Sequence, residues 1–358
     1  MILQGGGALG AYQAGVYQAL AEANLHPDWV AGISIGAINS ALIAGNPPEK
    51  RVERLREFWE TVSAPPFGVP YIAGLEGRDE FTHSIINQVR SWGALVGGVP
   101  GFFQPRVPPP FFYPNGAPEA LSYYDVAPLR ATLEGLVDFD LINAGAMRFS
   151  IGAVNVRTGN FVYFDSTTHQ ICPAHVMASG SLPPGFPATE IEGEHYWDGG
   201  LVSNTPLEWV LDSRPGRDTL AFQIDLWSAR GEFPRNLIEA DTRQKEIRYS
   251  SRTRLATNQF KKKQTLRRAT AHLLAKVPKR VIANTGGRNA GIGSGREGLQ
   301  PDPADLSRQE LRGQFQGFRV LAPDDGGALE IRLQRCCSHL APSGSAATPA
   351  RVGRRLHL

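Results

Sequence analysis

Cysteine is scarce in this sequence and long apolar runs are missing, and each absence excludes a class of protein. The three cysteines among 358 residues, Cys172, Cys336 and Cys337, give neither a disulfide framework nor a zinc-binding spacing. Reduced thiols in an intracellular protein are the simpler interpretation. No apolar run approaches the roughly 20 residues of a membrane span, and the N-terminus has no signal-peptide pattern. We therefore expect a cytoplasmic globular protein whose membrane contacts, where it has them, are peripheral.

Composition leaves room for a large core but says little about partners. Of the 358 residues 42% are hydrophobic and 20% are charged, and the net charge is +3. This length favours one large α/β domain or two smaller ones. The 39 glycines and 27 prolines are concentrated in particular segments, so their positions are more informative than their totals.

The segment Gly32-Ile33-Ser34-Ile35-Gly36 joins a short apolar run, which starts at Trp29, to a strongly apolar helical pattern. Side chains with a Cβ beside the serine would clash in so tight a turn, and the backbone holds the Ser34 hydroxyl above the sheet edge. The N-terminus of the following helix adds partial positive charge. The pattern predicts a nucleophile elbow. A single G-x-S-x-G arises by chance in glycine-rich chains, so the prediction depends on other segments.

A glycine-rich loop, Gly5–Gly10, precedes a helical pattern at about residues 11–23. The N–H groups of Gly5, Gly6 and Gly7 can approach a ligand closely and suit an oxyanion or a phosphate. Strand, loop, helix, strand, elbow and helix together predict a βαβα unit with parallel strands. Because Met1–Gln4 is short for a buried strand, we expect the choice of start codon to truncate the first strand.

A third segment, Asp198-Gly199-Gly200, ends a predicted strand, and its glycines allow a sharp turn toward a substrate. None of the histidines after Asp198 lies in a convincing strand-end loop, and His195 is interpreted as a surface residue at a strand edge. A standard α/β-hydrolase needs a histidine after the acid and an elbow deeper in the chain. The sequence fits that fold badly.

Dinucleotide binding is the rival interpretation of Gly5–Gly10, since the Rossmann fingerprint also follows a strand and opens a helix. That fold requires an acidic residue at the end of the second strand to bind the ribose. Ile33 and Ser34 occupy this place, and Asp28 lies before the strand. A dehydrogenase is therefore the third hypothesis, testable by NAD(H) binding.

A serine with an aspartate base, no histidine and a preceding glycine loop resembles the patatin-like phospholipases. The resemblance covers about residues 1–230 and rests on three ordered motifs. The segments around them, 178–187 and 201–206, are also similar to that family. The matching motifs are Gly5–Gly10, Gly32–Gly36 and Asp198–Gly200.

The resemblance implies an α/β class, three-layer α/β/α fold with a mainly parallel central sheet, and chemistry without a metal or a cofactor. It implies Ser34 as nucleophile, Asp198 as proton acceptor and the N–H groups of Gly5, Gly6 and Gly7 as the oxyanion hole. The substrate would be a lipid or phospholipid ester. A catalytically inactive lipid-binding protein is the alternative from another class. The remaining motif glycines are Gly10, Gly32, Gly36, Gly199 and Gly200.

Two segments differ in character from the predicted hydrolase domain at residues 1–230. Residues 64–120 are rich in proline and aromatic residues, which suits either a cap over the site or a surface excursion. Residues 231–281 form a basic helical extension with an incomplete apolar stripe. Its residues 241–280 carry a charge balance of about +11. Peripheral membrane contact through residues 243–280 and a solvated helix on the body are both open, and no nucleic acid is expected because no recognition motif accompanies the charge.

The tail, residues 282–358, has scattered glycine and arginine without periodicity, and we expect it to be irregular and disordered. Plausible codons for residues 317–340, shifted by one nucleotide, encode a good helical pattern. Our hypothesis is that this tail is translated out of frame. The nucleotide sequence would decide it.

Overall fold

A nine-stranded β-sheet is the main element of the computed structural model, which describes residues 1–64, 93–213, 220–276, 317–321 and 328–332. The strand order is β11-β10-β9-β1-β2-β5-β8-β7, with β6 also paired to β5. A separate pair is formed by β3 and β4. The strands are β1 Ile2–Leu3, β2 Trp29–Ile33, β3 Gln104–Pro105, β4 Tyr124–Asp125, β5 Arg148–Asn155, β6 Phe161–Asp165, β7 Thr189–Ile191, β8 Glu194–Asp198, β9 Ala221–Ile224, β10 Gly317–Leu321 and β11 Ala328–Arg332.

The centre of the sheet is parallel and its edges are antiparallel. β1 pairs in parallel with both β2 and β9, and β2 pairs in parallel with β5. β6 pairs antiparallel with the outer edge of β5, and β8, followed by β7, pairs antiparallel with the inner edge of β5 beyond the end of β2. β10 and β11 extend the sheet on the β9 side. The predicted parallel sheet is thus confirmed for its four central strands, and the sheet as a whole is mixed.

Helices cover both faces of the sheet, which confirms the three-layer α/β/α class. In β1, Leu3 packs into the large core built with α1 to α6, whereas Ile2 packs against Leu207 and Val210 of α7 on the other face. This alternation is what a strand buried on both sides requires. The helices are α1 Ala11–Glu22, α2 Ile35–Ala44, α3 Arg51–Ser63, α4 Ala127–Leu136, α5 Phe139–Asn143, α6 Pro173–Gly180, α7 Leu207–Asp212 and α8 Leu237–Lys276.

A buried carboxylate, Asp165 at the end of β6, links the strands at the edge of the parallel centre. It accepts hydrogen bonds from the Arg148 guanidinium, at 3.0 Å from Nε, and from the Ser150 hydroxyl at 2.6 Å. The Thr167 N–H donates at 2.9 Å. Burial alone would raise the pKa of Asp165, but the hydrogen bonds from Arg148, Ser150 and Thr167 outweigh it and lower this pKa to about 2.

Replacing Asp165 with asparagine is expected to destabilise the fold by about 3 kcal/mol, because the Arg148 charge loses its buried partner. The folded pKa lies below the unfolded value, so the carboxylate stabilises the wild type above about pH 4 and this contribution is lost as pH falls toward 2. Urea unfolding at pH 7 and pH 3 measures the difference. An equal stability of the two proteins at pH 7 would contradict the prediction.

The aromatic stretch that precedes α4 is anchored on the body by ring contacts. Phe103 packs against Tyr124 and Phe186, with ring centroids 4.6 and 5.3 Å apart, and Phe102 contacts Phe58 at 6.5 Å. Such pairs add to the energy of apolar burial. Residues 65–92 of the predicted 64–120 excursion lie outside the described residues. The cap interpretation stays a prediction.

The basic extension forms the 40-residue helix α8, which lies against the body through small polar side chains. Ser250, Thr253 and Thr257 are buried, and Lys263 pairs with Asp212 of α7. The leucines of α8 that the structure describes point outward instead. Those exposed are Leu237, Leu255, Leu266 and Leu273. No helix among the described residues is both long and apolar enough to cross a membrane.

Part of the tail continues the sheet. β10 pairs antiparallel with β9, and β11 pairs with β10. Leu329–Arg332 of β11 alternate apolar and polar residues, as Phe318–Val320 of β10 do, a pattern that favours strands, so the expectation of an irregular tail does not hold for these two segments. The rest of residues 282–358, including most of the stretch on which the frame-shift hypothesis rests, lies outside the described residues.

Candidate active site

Ser34 lies in the turn between β2 and α2 with a φ of 55° and a ψ of −125°. A non-glycine residue at positive φ is uncommon and strained, and such strain occurs at functional sites. The two neighbouring glycines make the turn fit. A Cβ on Gly32 would clash with the Gly36 carbonyl, and a Cβ on Gly36 would clash with the Leu3 carbonyl of β1. The local geometry is that of the predicted elbow.

Ser179 of α6 holds the elbow from the side. The Ser34 N–H donates to Ser179 Oγ at 3.0 Å, and Ser179 Oγ donates to the Gly152 carbonyl of β5 at 2.7 Å. Sequence reasoning noted this segment only as similar to a family motif. The role of Ser179 depends on a contact across 145 residues, which no local pattern reveals.

Asp198 ends β8 and lies beside Ser34 because β2 and β8 meet end to end along the same edge of β5. Ile33 of β2 is opposite Gly152, Asp198 is opposite the next residue, Ala153, and β6 pairs with the other edge of β5. The Asp198 carboxylate, 3% exposed, accepts a hydrogen bond from the Gly200 N–H at 2.7 Å and lies near enough to the Ser34 hydroxyl for that group to lower its pKa. The structure therefore places the two predicted residues side by side.

Gly199 is needed for this close approach, because a Cβ there would lie 2.6 Å from the Gly152 carbonyl. Gly200 is tightly packed as well: a Cβ there would lie 3.0 Å from both Asn204 Oδ1 and Asp198 Oδ1, so these side chains would have to shift slightly. The glycine at position 199 thus lets the chain turn while the carboxylate stays beside Ser34.

Burial raises the pKa of Asp198 to about 6, although the hydrogen bonds from Ser34 and Gly200 act in the opposite direction. Removing a carboxylate from water disfavours its charged form, which makes it a stronger base than an exposed aspartate. The group stays ionised at neutral pH and lies beside the Ser34 hydroxyl. This is the arrangement a proton acceptor needs.

The glycine loop lies against Ser34, but only part of its predicted donor set is free. A Cβ on Gly5 would lie 3.1 Å from Ser34 Cβ. The Gly5 N–H already donates to the Asn204 carbonyl at 3.1 Å, so it is not a free oxyanion donor in this conformation. Within the described part of the chain, the N–H groups of Gly6 and Gly7 donate to no acceptor. Gly7 has a φ of +56°, which favours glycine.

Gly10, the last glycine of the loop, packs against α2 and α3. A Cβ on Gly10 would lie 2.5 Å from Ile35 Cγ1 and 2.9 Å from Trp59. The Gly10 carbonyl accepts a hydrogen bond from Asn39 of α2 at 3.0 Å. The loop and the elbow therefore share one supporting helix.

His195 is exposed on β8, opposite Glu190 of the edge strand β7. Among the described residues, no group of three or more histidine, cysteine or acidic side chains could bind a metal ion. Sequence reasoning missed Asn204 and Trp227, which both contact the Gly5 carbonyl.

Comparisons with known proteins agree with the motifs. A family model described as patatin-like phospholipase matches residues 1–211, and a second, described as patatin phospholipase, matches residues 247–286. None of the curated proteins compared matches this sequence. A crystal structure of VipD from Legionella pneumophila is similar over 56% of this chain and 46% of its own, at 16% identity and a TM-score of 0.30. On the strength of the first family model, which spans more than half of the sequence, this chain belongs to the patatin-like phospholipase family.

Proposed function

We propose that this protein is a lipid acyl hydrolase that cleaves carboxylic esters with a Ser34–Asp198 dyad. The observation that carries the proposal is the position of Ser34 beside the buried carboxylate of Asp198, where β2 and β8 meet along β5, with the pKa of that carboxylate raised to about 6. A strained elbow and two free glycine N–H groups lie around this pair. The family to which the chain belongs supports the same chemistry.

In the first half of the proposed reaction, Ser34 Oγ attacks the ester carbonyl carbon and its proton passes to Asp198. The carbonyl oxygen becomes an oxyanion, bound by the N–H groups of Gly6 and Gly7. One such donor typically contributes on the order of 10²–10³ in rate. The intermediate collapses when the bond to the alcohol breaks, and Asp198 returns the proton to the leaving alcohol.

In the second half, a water molecule attacks the acyl-enzyme and gives its proton to Asp198. The second tetrahedral intermediate releases the carboxylic acid as the proton returns to Ser34 Oγ. No metal or cofactor takes part in this sequence, because the buried carboxylate supplies the base and the backbone supplies the oxyanion donors.

An apolar substrate fits the loops around the pair. Three of the segments beside the site each expose an aliphatic side chain, with Leu9 45%, Leu182 40% and Val202 48% exposed. None of residues 5–12, 181–188 and 199–207 is charged, in a chain of which 20% of residues are charged; the charges near the site lie in the segment after β9, at residues 225–235. Exposed apolar side chains around a site mark contact with apolar ligands. This supports a lipid ester over a charged soluble one.

Hydrolysis of a p-nitrophenyl ester and of a phospholipid between pH 4.5 and 9 tests the proposal. We expect kcat/KM to rise with pH through an apparent pKa near 6, since only the ionised Asp198 accepts the Ser34 proton. Below this pH the rate falls about tenfold per unit. A folded protein that binds vesicles but hydrolyses neither ester would favour the inactive lipid-binding alternative.

We also propose that α8 contacts anionic membranes through its exposed basic side chains. Lys261 and Lys262 are exposed beside the outward Leu255 and Leu266, a combination that suits a helix lying on a lipid surface. The match of residues 247–286 to a second patatin model supports α8 as part of the family architecture.

The variant Lys261→Gln/Lys262→Gln is expected to bind vesicles with anionic lipid about 30-fold more weakly, at about 1 kcal/mol per lost charge. Cosedimentation at low salt measures the partition coefficient. The matched control Lys50→Gln/Arg56→Gln removes two exposed charges near α3 and should bind like the wild type. Equal vesicle binding by all three proteins would contradict the proposal that α8 contacts the membrane.

A further inference from the structure

We propose that Asn204 and Trp227 are positioning residues that orient the Gly5–Gly6 peptide and thereby aim the Gly6 N–H at the oxyanion. This assignment rests on the proposed hydrolase function and names two side chains that it does not require. Neither residue touches the reacting atoms in the proposed reaction. Both act through the backbone of the glycine loop.

The Gly5 carbonyl is bound from two directions. Asn204 Nδ2 donates to it at 2.7 Å, and Trp227 Nε1 donates to it at 2.8 Å. The Asn204 carbonyl accepts from the Gly5 N–H at 3.1 Å. Asn204 is 4% exposed, so these bonds compete little with water. Both peptide groups that flank Gly5 are therefore fixed by residues distant in the sequence.

Fixing the Gly5 carbonyl also fixes the neighbouring donor. The Gly5–Gly6 peptide is trans and planar, so the Gly6 N–H points opposite to the Gly5 carbonyl. Glycine backbones reach more conformations than any other residue, and a peptide between two glycines rotates easily when nothing holds it. With the carbonyl held toward Asn204 and Trp227, the Gly6 N–H is presented on the other side of the peptide.

A second layer of hydrogen bonds holds Trp227 and extends to α8. Gln4 Oε1 accepts from the N–H groups of Leu226 and Trp227 at 2.6 and 3.2 Å. Gln4 Nε2 donates to Thr253 Oγ1 of α8 at 2.8 Å. Gln4 is 0% and Thr253 4% exposed. The backbone that carries the Trp227 indole is therefore held in place. Through Thr253, Gln4 and Trp227, hydrogen bonds connect α8 to the glycine loop.

The test compares Trp227→Phe and Asn204→Leu with the matched control Trp29→Phe, in which a 2.9 Å indole hydrogen bond to Ser150 is lost away from the site. We expect kcat on a soluble ester to fall about 10-fold for Trp227→Phe and about 100-fold for Asn204→Leu, with KM changed less than twofold. The control should keep its kcat. Thermal unfolding shows which variants fold, and Trp227→Phe carries the test if Asn204→Leu does not.

A second measurement distinguishes a change in the orientation of the Gly6 N–H from a general loss of active-site structure. A thionoester places sulfur, a weak hydrogen-bond acceptor, where the oxyanion forms. The wild type should strongly prefer the oxygen ester, and this preference should shrink about tenfold in both variants while the pH profile is unchanged. If the wild type depends on Ser34 but both variants keep its kcat and its preference for the oxygen ester, the positioning role of Asn204 and Trp227 is overturned and the dyad is not. An inert wild type, or a fully active Ser34→Ala protein, would overturn the dyad and this role together.

Discussion

Replacing Ser34 with alanine is expected to lower ester hydrolysis by on the order of 10⁴-fold or more, because the proposed reaction has no other nucleophile. The fold should survive. The close backbone contacts of the elbow are made at Gly32 and Gly36, and the substitution leaves both glycines in place. Removal of the Ser34 hydroxyl also takes away a hydrogen bond that lowers the pKa of Asp198, so this pKa should rise further.

The matched control is Ser40→Ala in α2, the helix that follows Ser34. Ser40 Oγ is buried without a hydrogen-bond partner among the described residues, so its removal should leave activity unchanged and stability equal or higher. Initial rates on a soluble ester, with thermal unfolding of each protein, provide the comparison. A Ser34→Ala protein that keeps wild-type rates would show that the nucleophile is assigned wrongly.

Short motifs explain why the sequence alone points to the segments that carry Ser34 and Asp198. Close backbone contacts require glycine at positions 32, 36 and 199, and such requirements leave short patterns in the sequence. The parallel pairing of β1 with β2 follows from the local order of strand, loop, helix and strand.

Long-range contacts explain what the sequence alone does not identify. The Gly5 N–H resembles the other loop donors in every local respect, yet the Asn204 carbonyl, 199 residues away, occupies it. The orientation of α8 is a second feature that long-range contacts decide. Its incomplete apolar stripe does not decide which face lies on the body, whereas in the structure Ser250 and Thr253 are buried and the described leucines are exposed. Which face packs depends on Gln4 and Thr205, its distant hydrogen-bond partners.

Asp198→Asn is expected to lower kcat by about 10²–10⁴-fold, the usual contribution of a positioned general base, and to stabilise the fold at neutral pH. The folded pKa of about 6 lies above the ordinary value near 3.9, so the folded state holds this proton more tightly than the unfolded chain. Wild-type stability therefore falls as pH rises from about 4 through 6. Asparagine has no such proton to lose.

The difference in unfolding free energy between Asp198→Asn and the wild type should therefore depend on pH. For an aspartate that only stabilises the fold, this difference would have the opposite sign. At pH 8 we expect Asp198→Asn to exceed the wild type by about 2–3 kcal/mol, since each pKa unit corresponds to 1.36 kcal/mol, and below pH 4 the two should converge. Urea unfolding at both pH values measures this, and Asp165→Asn supplies the opposite sign. A variant that is less stable at pH 8 would mean that Asp198 is held as a favourable structural ion. A variant that gains stability and loses turnover would mean that the fold bears the cost of a buried carboxylate because catalysis uses it.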